Sequence, residues 1–272
     1  MKELFSASLL ILAGTFCIVA QDRSEIKAEM RDLRNDLIKE RQNTSKIAGP
    51  IVQALTAADV GEPDSFGKTA LFLGIAQSGI VLLDPTCDPT DVGPLGPDDH
   101  CIAVPDPSIS VPSTIFTNIA RITIPGKSVG NIIYAIGNHN VSYSMFNPGV
   151  TASFGHLTYS PSVTIESEAL LDPTLIDPST GNPFNGSFTT TGIGTYSRST
   201  TLASGASDFQ ALSYTRANTL GFSRTFFAGL GLPPAVIDNI FKKPVTIKLN
   251  VRVSSRWVDS AVMAFSIRFL GN

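Results

Sequence analysis

The segment VTIKLNVRVSSRWV, residues 245–258, alternates apolar and polar side chains almost without a break. Successive residues of a strand point to opposite faces, so Val245, Ile247, Leu249, Val251 and Val253 share one face while Thr246, Lys248, Asn250 and Arg252 share the other. Such a strand needs a cover for its apolar side. The last segment repeats the pattern, with Ala261, Met263, Phe265, Ile267 and Phe269 set against Ser266 and Arg268. Further strands are expected at 114–124, 131–137, 140–146, 151–159, 162–170, 187–200 and 209–216. Gly137-Asn138-His139-Asn140 reads as a hairpin turn between the second and third of these. LPPAVIDNIF places proline in the first turn of a short helix at 233–241.

Strands at this density, joined by Asp-Pro and glycine-rich turns, define a mainly β chain whose expected architecture is an antiparallel, jelly-roll-like β-sandwich. A doubly wound parallel fold would need helices between the strands, and there are too few. An outer-membrane barrel is the architectural competitor. It is disfavoured by five tyrosines and a single tryptophan for interfacial girdles, and by proline-rich connections at both ends.

The N-terminal portion differs. Residues 1–20 pair one lysine with an uncharged apolar run from Leu4 to Ala20, the pattern of a secretory signal peptide cleaved after Ala20. A retained anchor is the alternative, at the short end of what spans a bilayer. No stable membrane span is expected after processing. Residues 21–43 hold a helix, because DRSEIKAEMRDLRNDLIKER has six acidic and six basic side chains with no glycine or proline. The β-sandwich domain is then assigned to 44–272.

Secretion decides how the cysteines are read. Cys17 leaves with the leader, and Cys87 and Cys101 remain as a pair expected to form a disulfide in an oxidising compartment. They close a ring inside an Asp/Pro-rich loop at 84–107. The aspartates Asp84, Asp88, Asp91, Asp98 and Asp99 are the candidate calcium ligands, although their spacing matches no calcium-loop pattern. A solvated, stapled loop is the simpler reading, since proline disfavours helix at the residue before it and marks turns. No other cofactor is suggested. LLDPT occurs at 82–86 and again at 170–174, and Asp-Pro at 84, 88, 106, 172 and 177. Convergent turn chemistry accounts for the repetition better than duplication does.

A search for catalytic constellations returns little. Gly67-Lys68-Thr69 and Gly126-Lys127-Ser128 lack the upstream glycine of a phosphate loop, and neither a G-x-S-x-G elbow nor H-E-x-x-H is present. His100, His139 and His156 are expected in three different settings. Glu166 and Glu168 could resemble the carboxylate pair of a glycoside hydrolase, but at i and i+2 on one strand they read as solvent-facing polarity. A net charge of −3 and the absence of a basic patch interleaved with aromatics argue against a nucleic-acid partner.

The helix carries the strongest assembly signal. Ile26, Met30, Leu33 and Leu37 follow the spacing of a heptad seam, flanked by basic Lys27, Arg34 and Arg41 on one side and acidic Asp22, Glu29 and Asp36 on the other. In a parallel pair these charges would meet with opposite sign. Packing of the same helix on its own sandwich is the alternative. The sequence therefore points to a secreted or cell-surface protein (periplasmic in a Gram-negative source) that is structural and non-enzymatic, adhesin-like or an assembly subunit, forming a homo-oligomer. A calcium- or glycan-binding module is the rival reading, and a secreted hydrolase the third.

Overall fold

The computed structural model describes residues 28, 30–37, 39, 54–55, 70–191, 194–217 and 221–272. The leader and the heptad positions Asp22, Ile26, Lys27, Glu29 and Arg41 lie outside them. Among the described residues no helix is long and apolar enough to cross a membrane.

In chain order the elements are α1 (30–37), β1 (Ala54–Leu55), β2 (Ala70–Asp84), α2 (Pro89–Val92), β3 (His100–Ala103), β4 (Val111–Ile124), β5 (Ile132–Phe146), β6 (Ser153–Glu166), a 3-10 turn (Glu168–Leu170), β7 (Ser187–Thr190), β8 (Tyr196–Leu202), β9 (Ser207–Ala217), β10 (Phe222–Ser223), α3 (Arg224–Gly229), α4 (Pro234–Lys242), β11 (Val245–Arg256) and β12 (Val258–Gly271). They form two sheets. Sheet A has seven strands along the path β1-β2-β12-β5-β10, with β3 beside β2 and β9 beside β5; sheet B has five along β4-β11-β6-β7, with β8 beside β6. All pairings are antiparallel except β2 with β3.

The two sheets repeat one lateral order. β2, β12, β5 and β9 lie side by side in sheet A as β4, β11, β6 and β8 do in sheet B. The chain thus runs as ribbons that cross from one sheet to the other, the jelly-roll-like arrangement expected. The corners carry the conformational cost of crossing. Trp257, the single residue between β11 and β12, has a positive φ of 60° and donates its backbone N–H to the carbonyl of Pro107. Asn147, fully buried after β5, donates its amide to Thr151 (2.8 Å), Leu202 (3.1 Å) and Ala203 (3.1 Å) carbonyls and accepts from Gly149 N–H (3.0 Å). One side chain therefore ties the β5/β6 corner to the β8/β9 corner.

The main core lies between the sheets. Val245, Ile247, Leu249, Val251 and Val253 of β11 face Ala261, Met263, Phe265, Ile267 and Phe269 of β12, all buried as the alternation predicted. α4 matches the expected helix, and with α3 it closes one end of the sandwich through edge-to-face rings such as Phe226 on Phe227 (5.5 Å) and Phe227 on Phe241 (5.9 Å).

Three expected boundaries are corrected. The segment 131–146 contains no hairpin: β5 is continuous, with Asn138 and Asn140 accepting hydroxyl bonds from Thr215 and Ser213 on β9 (both 2.7 Å) and His139 turned into the core. Likewise 153–166 is one strand through Pro161, which falls between the stretches of β6 that pair with β7 and with β8. The expected strand at 187–200 is instead two, β7 and β8.

Candidate functional site

The loop between β2 and β3 is built from a repeated local device. All five Asp-Pro pairs are followed by serine or threonine, and in each the aspartate accepts a hydrogen bond from the backbone N–H two residues on: Thr86 to Asp84 (3.0 Å), Thr90 to Asp88 (2.8 Å), Ser108 to Asp106 (2.9 Å), Thr174 to Asp172 (2.9 Å) and Ser179 to Asp177 (2.8 Å). Proline sets the extended entry and the carboxylate closes the turn. The recurrence of LLDPT is explained by this chemistry alone.

Asp84 also accepts from Cys87 N–H (3.0 Å), and Asp88 caps α2. Asp99 receives Ile80 N–H (2.8 Å) and Gly96 N–H (2.7 Å), stitching the loop onto β2. The approach is close: a Cβ at Gly79 would lie 1.7 Å from the Asp98 carbonyl, so only glycine fits there. Cys87 and Cys101 are joined in a disulfide, with Cα atoms 6.0 Å apart. Of the candidate calcium ligands, Asp84, Asp88 and Asp99 each have a carboxylate oxygen on backbone N–H groups, Asp91 accepts from the Thr86 hydroxyl (3.4 Å) and Asp98 is exposed. Among the described residues no three His, Cys, Asp or Glu side chains are grouped as metal ligands would be.

The stapled loop and α1 share one seat on the outer face of sheet A. Met30 packs with Ile80, Leu82, Val92 and Val262, and Leu37, Cys101 and Phe209 close the cluster. The Ser260 hydroxyl donates to the Met30 sulfur (3.2 Å). Arg34 is only 6 % exposed. Its guanidinium lies over Gly93, whose φ of 69° favours glycine and where an added Cβ would come within 3.2 Å of the Arg34 Nη1. Burial pulls the Arg34 guanidinium below its ordinary pKa, opposed by the charges of Asp99 and Asp84. The seam residues Met30 and Leu37 and the flanking Arg34 thus lie on their own sheet, while Asp36 is exposed beside Lys39 (3.5 Å) and Leu33 is half-buried. Among the described seam residues, Met30 and Leu37 are occupied within the same chain.

The glutamate pair separates. Glu166 ends β6 and binds Lys248 (2.6 Å), whereas Glu168 opens the 3-10 turn and binds Lys243 (3.2 Å), so the two do not share a strand face as expected. The histidines are also dispersed. His100 stacks on Phe116 (4.9 Å), His139 packs on Phe265 (5.5 Å) and Tyr159 (5.9 Å), and His156 bonds Ser199 and Thr158 (both 2.9 Å). Tyr143 and Tyr196 share a hydroxyl bond in the core (3.0 Å), and burial first, then that bond, raises the Tyr143 pKa.

The outer face of sheet B is different in kind, and the search for motifs passed over it. Hydroxyl pairs bridge its strands, Thr123 with Thr246 (3.0 Å), Thr164 with Thr189 (2.7 Å) and Ser160 with Thr195 (3.0 Å). A bulge in β4 places Asn118 at φ 58°, held by its backbone N–H donating to the side-chain Oδ1 of Asn250 (2.8 Å). Lys248, Arg252 and Arg256 project from this face of β11, and Arg121 lies across from Lys248 on β4. The signal was present in the sequence as the polar half of the alternation.

No family model matches the chain, and no curated protein matches it. Among solved structures it is similar to the crystal structure of the infectious bursal disease virus VP2 subviral particle, at 15 % identity over 60 % of this chain and 30 % of that one, with a TM-score of 0.21. It is also similar to the T13 particle of the same virus (10 %, 81 % and 44 %, TM-score 0.17) and to the virus of the Gx strain (14 %, 74 % and 52 %, TM-score 0.16). The chain spans less than a third of the first and at most about half of the others.

Proposed function

We propose that this chain is a secreted, non-enzymatic structural subunit of extracellular or cell-surface material, built to assemble with copies of itself. The observation that carries the reading is how the chemically capable side chains are used. At the two carboxylate groups singled out as candidate sites, Asp84, Asp88 and Asp99 bind backbone N–H groups of the loop and Glu166 and Glu168 bind lysines, so these acids serve the scaffold. A disulfide within the stapled loop and the apolar leader both suit export to an oxidising compartment.

The test is sedimentation velocity of the full mature chain over a wide concentration range, with negative-stain imaging of the heaviest species. Concentration-dependent association into regular particles or polymers is expected. A strictly monomeric protein at every concentration and ionic strength overturns the assembly reading. Loss of a hydrolytic activity in a folded E166Q/E168Q variant would overturn the non-enzymatic one.

A further inference from the structure

Assembly through α1 would require lifting Met30 and Arg34 out of their seat, so the surface used between copies is better sought elsewhere. Resting on the self-assembly reading above, we propose that copies join head to tail, the open outer face of sheet B of one copy receiving the stapled acidic loop of the next.

The receiving face has a charge imbalance of its own. Lys248 is bound by Glu166 (2.6 Å), but Arg121, Arg252 and Arg256 are exposed and have no carboxylate partner among the described residues; Arg252 reaches the Ser113 hydroxyl at 3.5 Å. Arg121 lies directly opposite Lys248 in the β4/β11 ladder, and like charges facing each other across strands are destabilising. Arg252 and Arg256 continue the row along β11, four residues or roughly 13 Å apart. An anionic partner relieves all of these at once.

The loop supplies that charge in a fixed shape. Between residues 84 and 101 there is no lysine or arginine, and Asp88, Asp91 and Asp98 are exposed. The disulfide, the Asx turns and the Asp99 stitch hold the segment in place, so little ordering opposes binding. Each patch also shows exposed apolar side chains, Leu95 on the loop (39 % exposed) and, on the sheet, Ile115 across from Arg252 (49 % exposed) and Phe154 on β6 (56 % exposed).

Geometry makes the contact intermolecular. The loop sits on the outside of sheet A, fixed there by Val92 in the α1 cluster, whereas the arginines project from the outside of sheet B. One copy cannot join its own patches. Two different surfaces meeting between copies form a heterologous contact, which propagates into rings or open polymers.

The experiment compares the full chain with R252E/R256E and with D91K/D98K by sedimentation velocity, with urea midpoints confirming that each variant folds. Each variant alone is expected to associate at least tenfold more weakly than wild type, because its loop and face then carry the same sign. An equimolar mixture of the two should associate again, since each loop then meets a complementary face, and that recovery cannot come from misfolded protein. Wild-type association should weaken as salt is raised. If wild type associates while the variants associate equally well, or if the mixture fails to recover what the variants lost, the head-to-tail contact is wrong and self-assembly stands. If wild type is monomeric throughout, the self-assembly reading fails and takes this contact with it.

Discussion

The two outer faces of the sandwich present the same kind of surface, an antiparallel sheet, with opposite solutions. Over β2 and the adjoining part of β12, the outside of sheet A is covered by α1 and the stapled loop, which bury Ile80, Leu82 and Val262 around Met30, while over β5 and β9 it carries the exposed pairs of Asn138 with Thr215 and Asn140 with Ser213. Among the described residues no element covers the outside of sheet B, which is made of threonine and serine pairs, Asn250 and the row of cations on β11. The cause is visible in the strands themselves. In β2 the run Ile80-Val81-Leu82-Leu83 is apolar on both faces and all four residues are buried, whereas β11 alternates from Val245 to Val253. A strand that is apolar on both sides demands a second cover, and here the N-terminal helix and the disulfide loop provide it.

The comparison is most sharply broken by truncating one residue on each outside. Leu82→Ala removes a buried side chain from beneath α1 and should cost about 2 to 5 kcal/mol, while Arg252→Ala on the open face should stay within about 0.5 kcal/mol of wild type. Urea unfolding of both variants checks this. Equal effects would mean that the outside of sheet A is not covered in solution.

Removing the staple comes next. The ring closed by Cys87 and Cys101 spans a sequence separation of 14, and a C87A/C101A variant should lose about 3 kcal/mol by loop-closure entropy. Because Cys101 and Val92 belong to the seat of α1, hydrogen exchange should also quicken in residues 30–37. Exchange unchanged in that helix would separate the loop from the seat.

Met30→Ala should cost about 2 kcal/mol, the low end for a buried methionine, because the residue lies at the margin of the fold. The loss should not depend on protein concentration if Met30 packs on its own sheet. A cost that shrinks as both proteins are diluted would instead put the heptad seam between copies.

These contrasts also explain what the sequence could and could not reveal. The alternation of β11 and β12, the helix at α4 and the pairing of Cys87 with Cys101 were legible because each is a local pattern with one economical outcome. β2 was missed because its apolar runs, such as Ile80-Val81-Leu82-Leu83, have no period to read. The supposed turn at Gly137-Asn138-His139-Asn140 failed for a tertiary reason: Ser213 and Thr215 on β9 supply partners that make a strand of turn-forming residues. Sorted charges on the helix did not reveal its partner, since Arg34 lies buried near Asp84 and Asp99 of the same chain. The cations of sheet B were readable one by one, but their row across β4 and β11 required the register.

The smallest expected effect concerns the turn chemistry on the covered side. Asp88 accepts both the backbone N–H and the hydroxyl of Thr90 (2.8 Å each), and the backbone bond first, then the hydroxyl, holds its carboxyl below the ordinary value. The folded pKa is therefore lower than the unfolded one, which is about 3.9. The contribution of this cap is fully present above the unfolded value and disappears as the pH falls through the folded one. Because the carboxylate is solvent-exposed, the effect on global stability should be slight, and the sensitive readout is local. The Thr90 amide proton, followed by NMR between about pH 6 and pH 2, should titrate with a midpoint below that of an unstructured peptide, about 3.9. Asp88→Asn keeps an acceptor for the turn but has no proton to take up, so the same resonance should become insensitive to pH over this range. A wild-type midpoint at or above the peptide value would mean that the Asp-Pro-Thr turn at 88–90 is not closed by its carboxylate, and the common account of all five such turns would lose its clearest member.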